Sequence, residues 1–292
     1  MAPLRPRISL LVTDLDNTLW DWFHMWHSSF SAMLEHLSEM SGVPSSVLEG
    51  EMREVHRRHG TTEYSLLLDE LPSLRSECAG LRPLEVFDAA VHTLNHVRKR
   101  SIHLYRGVES ALTEVRRRGV PIVAYTESIA YWTEWRIRET GLDGVVDVLY
   151  SSPDHDFPEG VTPEDLRRYP PQEYGLVETV HRHTPQGRLK PDPAILGAIV
   201  DEYSKDPEDV VYIGDSLMKD VAMAQEIGVH DVHARYGVSQ DREGYELLRR
   251  VSHWSTEDIE RERRLARRPV VVPTWTAREC FSEVLDMFEF QG

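Results

Sequence analysis

Cysteine is nearly absent from this 292-residue chain, and the two present, Cys78 and Cys280, stand far apart and outside any C-x-x-C pairing. That usage argues against a disulfide-built scaffold and a cysteine-based structural zinc site, and two unpaired thiols fit a reducing cytoplasm. Lysine is scarce as well, with only Lys99, Lys190, Lys205 and Lys219. Lysine and arginine together number 33 against 49 aspartates and glutamates, a formal net charge of -16. Such a balance argues against a nucleic-acid partner, because binding a phosphate backbone needs cationic side chains to displace counterions. A small anionic substrate stays compatible if positive groups are local. Long apolar runs are missing too: the stretch after Arg5 and Arg7 is broken by Asp14, too short for a secretory leader or a membrane span. Neither an internal repeat nor a low-complexity tract is visible. What is there, 40% hydrophobic residues over this length, suits one large or two moderate packed domains of a soluble, intracellular protein.

The chain is organised around Leu10-Leu11-Val12-Thr13-Asp14-Leu15-Asp16-Asn17-Thr18-Leu19-Trp20. An apolar β-type run, Ile8 to Val12, delivers two carboxylates at i and i+2 where the strand must end, since Asp and Asn favour turns over strand interiors. In a parallel α/β sheet the C-terminal strand ends face the ligand crevice, so Asp14 and Asp16 emerge where chemistry is expected. From Trp22 to about Arg100 the pattern is helical. Trp22, Phe23, Trp26, Phe30, Met33, Leu34 and Leu37 recur at three and four, predicting one amphipathic helix that ends near Ser41-Gly42. A second helix is predicted from Ser45-Ser46 to Gly60, and a further one through Val86, Ala90, Leu94 and Val97. The aromatics Trp22, Phe23 and Trp26 read as packing rather than as a substrate pocket, and His24 and His27 as exposed.

The α/β pattern resumes at Leu104. A helix from Gly107 to Gly119 leads to an apolar strand, Val120 to Tyr125, ending in Thr126-Glu127-Ser128, then to a helix to Gly141 and a strand from Val145 to Tyr150. A Pro-rich, acidic insertion, 151–187, follows, with one short helix expected around Pro163 to Tyr169. His181 and His183 alternate within it, but no partner ligands stand nearby and neither is assigned to a metal. After Lys190-Pro191 come a helix from Ala194 to Tyr203, a strand Asp209 to Ile213 closed by Gly214-Asp215, and Asp220 just before a helix from Val221 to Ile227. The remainder predicts a strand near Asp231 to Ala234, a charged helical region from Arg242 to Arg267, a strand Val270 to Val272 and a last helix from Thr276 to Phe288.

Four segments in this order, Asp14-Leu15-Asp16-Asn17-Thr18, Thr126 after an apolar strand, Lys190-Pro191 before a helix, and Gly214-Asp215 with Asp220 five on, resemble the four motifs of the haloacid dehalogenase (HAD) superfamily. The resemblance spans almost the whole chain. It implies an α/β fold: a doubly wound, Rossmann-like parallel sheet formed by 1–20 and 103–292, beneath a smaller all-helical cap domain, 21–102. It further implies a Mg²⁺-dependent phosphohydrolase acting on a small phosphorylated metabolite. Asp14 would be the nucleophile that forms an aspartyl-phosphate, and Asp16 the acid for the leaving oxygen and then the base for water. Family members that displace halide from carbon lack that second acid, so Asp16 favours phosphoryl transfer. Thr126, with backbone N–H groups around Glu127, and Lys190 would bind the phosphoryl oxygens. Mg²⁺ would take the hard oxygens of Asp14, Asp215 and the Asp16 carbonyl. Asp220 would hold a metal-bound water or Lys190, or is simply an acid favoured at a helix start. A phosphomutase and a non-catalytic binding protein of the same fold are the alternatives. No nucleic acid or membrane partner is expected, and a homodimer is allowed.

Overall fold

The computed structural model describes residues 5–155, 157–158, 160–162, 174–255, 260 and 271–292. Its strands are β1 (Arg7–Ile8), β2 (Leu10–Thr13), β3 (Ile122–Ile129), β4 (Val148–Ser152), β5 (Val180–His183), β6 (Val210–Gly214), β7 (His230–Ala234), β8 (Trp275–Ala277) and β9 (Glu289–Phe290). Among the described residues seven of them form one parallel sheet in the order β5-β4-β3-β2-β6-β7-β8, and β1 pairs separately with β9. The strand built on the acidic motif is therefore central. The sheet grows outward from β2 in both directions, which puts a crevice at its C-terminal edge where the winding reverses.

Alternation along the strands explains the two-sided winding. Leu11 packs with Ile122, Ala124, Val211 and Ile213 on one face, together with Val108, Ala111, Leu112 and Val115 of helix α6 (Val108–Arg117). Leu10 and Val12 face the other way, toward Val123, Tyr125, Val210 and Tyr212 and a second helix, Pro193–Glu202. Successive side chains of a strand point to opposite faces, and both faces here are covered, so a near-continuous apolar run is what this strand requires. Leu10, Leu11 and Val12 are all fully buried, each stabilising by roughly 1.5–3 kcal/mol.

Between β2 and α6 lies the helical lobe: α1 (Trp22–Ser41), α2 (Ser45–His59), α3 (Pro72–Glu77), α4 (Pro83–Val86) and α5 (Asp88–Ser101). The Asp21 carboxylate caps α1 by accepting the His24 N–H at 2.9 Å, and Gly42, with φ of 71°, ends it in the left-handed conformation. Phe23, Trp26, Phe30, Met33, Leu34 and Leu37 form the buried stripe, packed with Leu48, Met52 and Val55 of α2. The chain enters and leaves this lobe side by side, since Asp21 N–H donates to His103 O at 3.2 Å and Tyr105 N–H to Leu19 O at 2.8 Å. A helix far along the chain, Tyr245–Val251, also lays Tyr245, Leu247, Leu248 and Val251 into the lobe's apolar cluster. Periodicity shows that a helix face is buried but not against what, so the sequence did not place it there.

Other elements differ from expectation for local reasons. The last helix, expected over Thr276 to Phe288, is replaced by β8, a single 3₁₀ turn at Phe281–Glu283, a short helix Val284–Met287, and β9. The Glu283 carboxylate accepts the N–H groups of Arg278, Glu279 and Cys280 at 3.0, 2.7 and 3.0 Å, which fixes the helical start at this point. Val271 and Val272 lie outside any strand; β8 begins at Trp275, next to Thr274, whose N–H and hydroxyl the Asp231 carboxylate accepts at 2.7 and 2.6 Å. The end of the Pro-rich insertion supplies the edge strand β5, whose half-exposed, histidine-bearing sequence has no apolar run to announce it. The helix expected at 163–169 and most of the charged stretch beyond 255 lie outside the described residues. Among the described residues no helix is long and apolar enough to cross a membrane.

Candidate active site

The C-terminal ends of β2 and β6 lie level, because Thr13 pairs with Ile213 and the Asp14 N–H donates to Ile213 O at 2.8 Å. Asp14 and Asp215 therefore leave adjacent strand ends together. Asp220 returns to the same place through the helical turn Leu217–Val221, and the three carboxylates offer oxygens that all lie within 4.8 Å of one another. Gly214 makes room for this turn, since a Cβ there would stand 2.3 Å from Asp220 Cγ.

Lys190, 176 positions from Asp14, inserts its ammonium among them, 2.6 Å from Asp14 Oδ1 and 2.9 Å from Asp220 Oδ1. The rings of Tyr125 and Tyr212 face the same nitrogen at 5.0 and 5.5 Å. Asp220 also accepts the Tyr212 hydroxyl at 3.0 Å on Oδ1 and the Ser216 N–H at 3.0 Å on Oδ2. With those bonds made, Asp220 anchors Lys190. Burial alone would depress the lysine, but Asp14 and Asp220 outweigh it and hold its pKa well above the usual value. Burial pushes the Asp14 carboxyl up to about 7, helped by the nearby Asp220 and opposed by Lys190. Burial, then Asp14 and Asp220, push Asp215 up as well.

Three acids, Asp14 and Asp220 buried and Asp215 half-buried, facing one buried ammonium leave a negative excess in a poorly solvated place. The hard-oxygen donor set fits a divalent cation of the Mg²⁺ type, which would relieve that excess. Asp14 and Asp215 could hold it.

Asp16 stands beside that cluster without joining it. Its carboxylate accepts the Trp20 indole N–H at 2.6 Å and the Ser128 hydroxyl at 2.5 Å, and lies 3.4 Å from the Arg136 guanidinium. Asn17, at φ 59°, turns the chain between the two acids and α1, and its side chain accepts the Phe23 N–H at 3.0 Å. Thr126 is buried where the register of β3 slips past Tyr125, and its hydroxyl accepts the Ser128 N–H at 3.1 Å. The Glu127 carboxylate ties three loops together: it accepts the Lys190 backbone N–H at 2.8 Å and pairs with Lys219. Tyr212, Ser128, Arg136 and Lys219 belong to this neighbourhood and carried no sequence signal, being an aromatic in an apolar strand, a serine in a turn and charges on helical stretches.

The residues left unassigned have their own places. Phe23 and Trp26 are core, His27 stacks on Phe23, and His24 meets His103 edge-on. His181 sits between Glu134 and Ser151, its Nδ1 2.7 Å from the carboxylate and its Nε2 2.7 Å from the hydroxyl. Ser151 is fully buried, so this row links α-helix to sheet without offering a nucleophile to solvent.

Residues 8–169 match the family described as haloacid dehalogenase-like hydrolase, and residues 188–259 match a second described as HAD-hydrolase-like. No curated protein matches the chain. Among solved structures, the 2-haloacid dehalogenase from Pseudomonas syringae pv. Tomato DC3000 superposes with a TM-score of 0.50 at 18% identity, over 96% of this chain and 97% of that one. The HAD-hydrolase YfnB from Bacillus subtilis, bound to magnesium, gives 0.50 at 13% identity over 97% and 99%. A haloacid dehalogenase-like hydrolase from Xanthomonas campestris gives 0.50 at 15% over 88% and 95%. These likenesses concern the fold. With the family match covering more than half of its length, the chain belongs to the haloacid dehalogenase-like hydrolases.

Proposed function

We propose that this hydrolase is a Mg²⁺-dependent phosphatase acting on a small phosphorylated metabolite. The observation that carries the reading is the meeting of the Asp14 and Asp215 carboxylates with the Lys190 ammonium at one strand edge, with a second acid, Asp16, two residues on. A phosphate ester repels its nucleophile, so neutralising and positioning come before any bond is made. When bound, Mg²⁺ supplies positive charge beside the phosphoryl oxygens.

In the first step the Asp14 carboxylate attacks phosphorus; the Asp14 O–P bond forms as the ester P–O bond breaks, and Asp16 gives its proton to the departing oxygen. In the second, Asp16 takes a proton from water as that water attacks phosphorus, releasing phosphate and the free Asp14 carboxylate. Lys190 fixes the nucleophile's orientation, and Thr126 and the backbone around Glu127 receive the phosphoryl group. The helical lobe screens the site from bulk water. Release of phosphate from a panel of phosphorylated metabolites, with and without Mg²⁺, tests the reading. Asp14→Asn is expected to fold normally and lose turnover; substantial phosphate release by that variant would remove Asp14 from the role of nucleophile.

A further inference from the structure

Strand β3 is irregular where it reaches the site. Between the pairs Tyr125–Tyr150 and Ile129–Ser152 the register slips, so Thr126, Glu127 and Ser128 stand opposite the single residue Ser151. Extra residues of this kind bend a strand and re-aim its side chains. Here Thr126 accepts the Ser128 N–H, Ser128 donates to Asp16, and Glu127 reaches across to two other loops. Its Oε1 accepts the Lys190 N–H at 2.8 Å, and its Oε2 pairs with the Lys219 ammonium. The loop that carries Lys190 runs without helix or strand from the end of β5 to the helix Pro193–Glu202. At its start Thr184 N–H donates to Ser151 O at 2.9 Å, and at its end Asp192 N–H meets Met223 Sδ at 3.3 Å. Between those points the Glu127 carboxylate is the one group, among the described residues, whose hydrogen bond ties the loop's main chain to the sheet. An acid at this turn also has a cost, because the neighbouring N–H groups are those that would receive a phosphoryl group and a carboxylate beside them repels it. Lys219, half-exposed and next to Asp220 in sequence, offsets that charge.

We propose that the Glu127 side chain is a positioning group: its carboxylate holds the Lys190 main chain so that the ammonium reaches Asp14 and Asp220, and Lys219 is the counter-ion that keeps this carboxylate from opposing the phosphoryl group. The proposal rests on the phosphatase reading for the phosphoryl group, and on geometry alone for the hold on Lys190. A lysine carries its charge on a flexible four-carbon stem, so two carboxylates at the tip do not by themselves fix where the stem begins. Fastening the Lys190 N–H removes that freedom, and the ammonium then orients Asp14 from a fixed base. Through Lys219 the same carboxylate also grips the turn Leu217–Val221, which carries Asp220. One side chain thus brings the lysine and the acid that anchors it to the tip of β3.

The variants separate the two parts. Glu127→Gln keeps an oxygen for the Lys190 N–H and loses the charge, whereas Glu127→Ala loses both. With the fold checked by circular dichroism, Glu127→Ala is expected to lower kcat on the best ester of a phosphorylated-metabolite panel about 10²-fold, the cost of a small misplacement of a reacting group, and Glu127→Gln to lose much less. Lys219→Met leaves the carboxylate uncompensated, so it should raise KM more than it lowers kcat, and adding Glu127→Gln should bring KM back toward wild type. Equal kcat losses for the glutamine and alanine variants, or a KM that the second substitution does not restore, would overturn the proposal. Lysine side-chain NMR gives an arm independent of turnover, since the chain has only Lys99, Lys190, Lys205 and Lys219 to resolve. The buried Lys190 ammonium should exchange its protons with water slowly in wild type and in Glu127→Gln, and faster in Glu127→Ala. Unchanged exchange in the alanine variant would remove the hold on Lys190. If the wild-type chain releases phosphate from no ester of the panel, the phosphatase reading fails, and the exchange rates alone decide whether Glu127 positions Lys190.

Discussion

The Lys190 ammonium lies 2.6 Å from the Asp14 carboxylate, and both side chains are buried. Their pairing joins the beginning of the chain to a residue 176 positions on and sets the balance of charge in the site. Removing the lysine leaves Asp14, Asp215 and Asp220 crowded with no cation between them. Lys190→Met should therefore destabilise the metal-free protein by about 3–5 kcal/mol, the usual cost of breaking a buried pair from one side. Urea denaturation with and without Mg²⁺ checks this, and Mg²⁺ should recover more stability in the variant than in wild type. Identical midpoints for variant and wild type without metal would contradict the charge argument.

Asp14→Asn has the opposite sign. It removes one of three acids that share a single ammonium, and burial already pushes that acid up to about 7, so the neutral amide takes away a costly charge. Without metal the variant is expected to melt at or above the wild-type temperature. Mg²⁺ should raise that temperature less than it does for wild type, since a ligand of the ion has gone. A clear drop in thermal stability without metal would show that the Asp14–Lys190 pair outweighs the crowding.

Gly237 presses against the acidic loop more closely than any side chain could. A Cβ there would stand 1.6 Å from Asn17 O and 3.4 Å from Asp215 Cβ. Gly237→Ala must shift the turn that separates Asp16 from α1, and Tyr236, whose hydroxyl donates to Thr18 O at 2.8 Å, would move with it. The expected cost is about 1–3 kcal/mol of stability from overpacking, with a larger fractional loss of turnover than of folded protein. Thermal melts and kcat measured on the same preparation decide it; an alanine variant with wild-type turnover would show that the loop tolerates the shift.

Much of this arrangement is legible in the sequence because strand tips announce themselves. Asp14, Asp215 and Lys190 each follow or precede an apolar run at a turn, and near-continuous apolar runs mark β2, β3 and β6 as strands buried on both faces. Tyr212 is hidden by the same rule, since a tyrosine in Val210–Gly214 reads as core until its hydroxyl is seen to meet Asp220. Arg136 and Glu63 are hidden for another reason: charged residues on helical stretches ordinarily face water, and only the packing of one lobe on the other buries them. The helix Tyr245–Val251 lies inside a charged stretch far along the chain, and its apolar face carries no label for the lobe it covers. Short side-chain caps such as Glu283 decide where a helix begins, and no periodicity reports them.

His56 supplies a pH-dependent contribution at the junction of that late helix with α2. The ring is fully buried, with Nδ1 2.6 Å from Val251 O and Nε2 without a hydrogen-bond partner. A carbonyl only accepts, so Nδ1 carries the proton and the neutral ring fits. Burial drives its pKa from 6.5 down to about 4, despite the bond to Val251. The unfolded chain therefore binds a proton below about pH 6.5 that the folded chain refuses until about pH 4. Stability from this residue is complete above the upper value and drains away as pH falls toward the lower one, by roughly 3 kcal/mol over the interval. His56→Gln can still donate to the carbonyl but does not titrate. Chemical denaturation of both proteins from pH 7 to pH 4 should give a steeper decline for wild type than for the variant; parallel declines would show that the ring is not kept neutral by the fold.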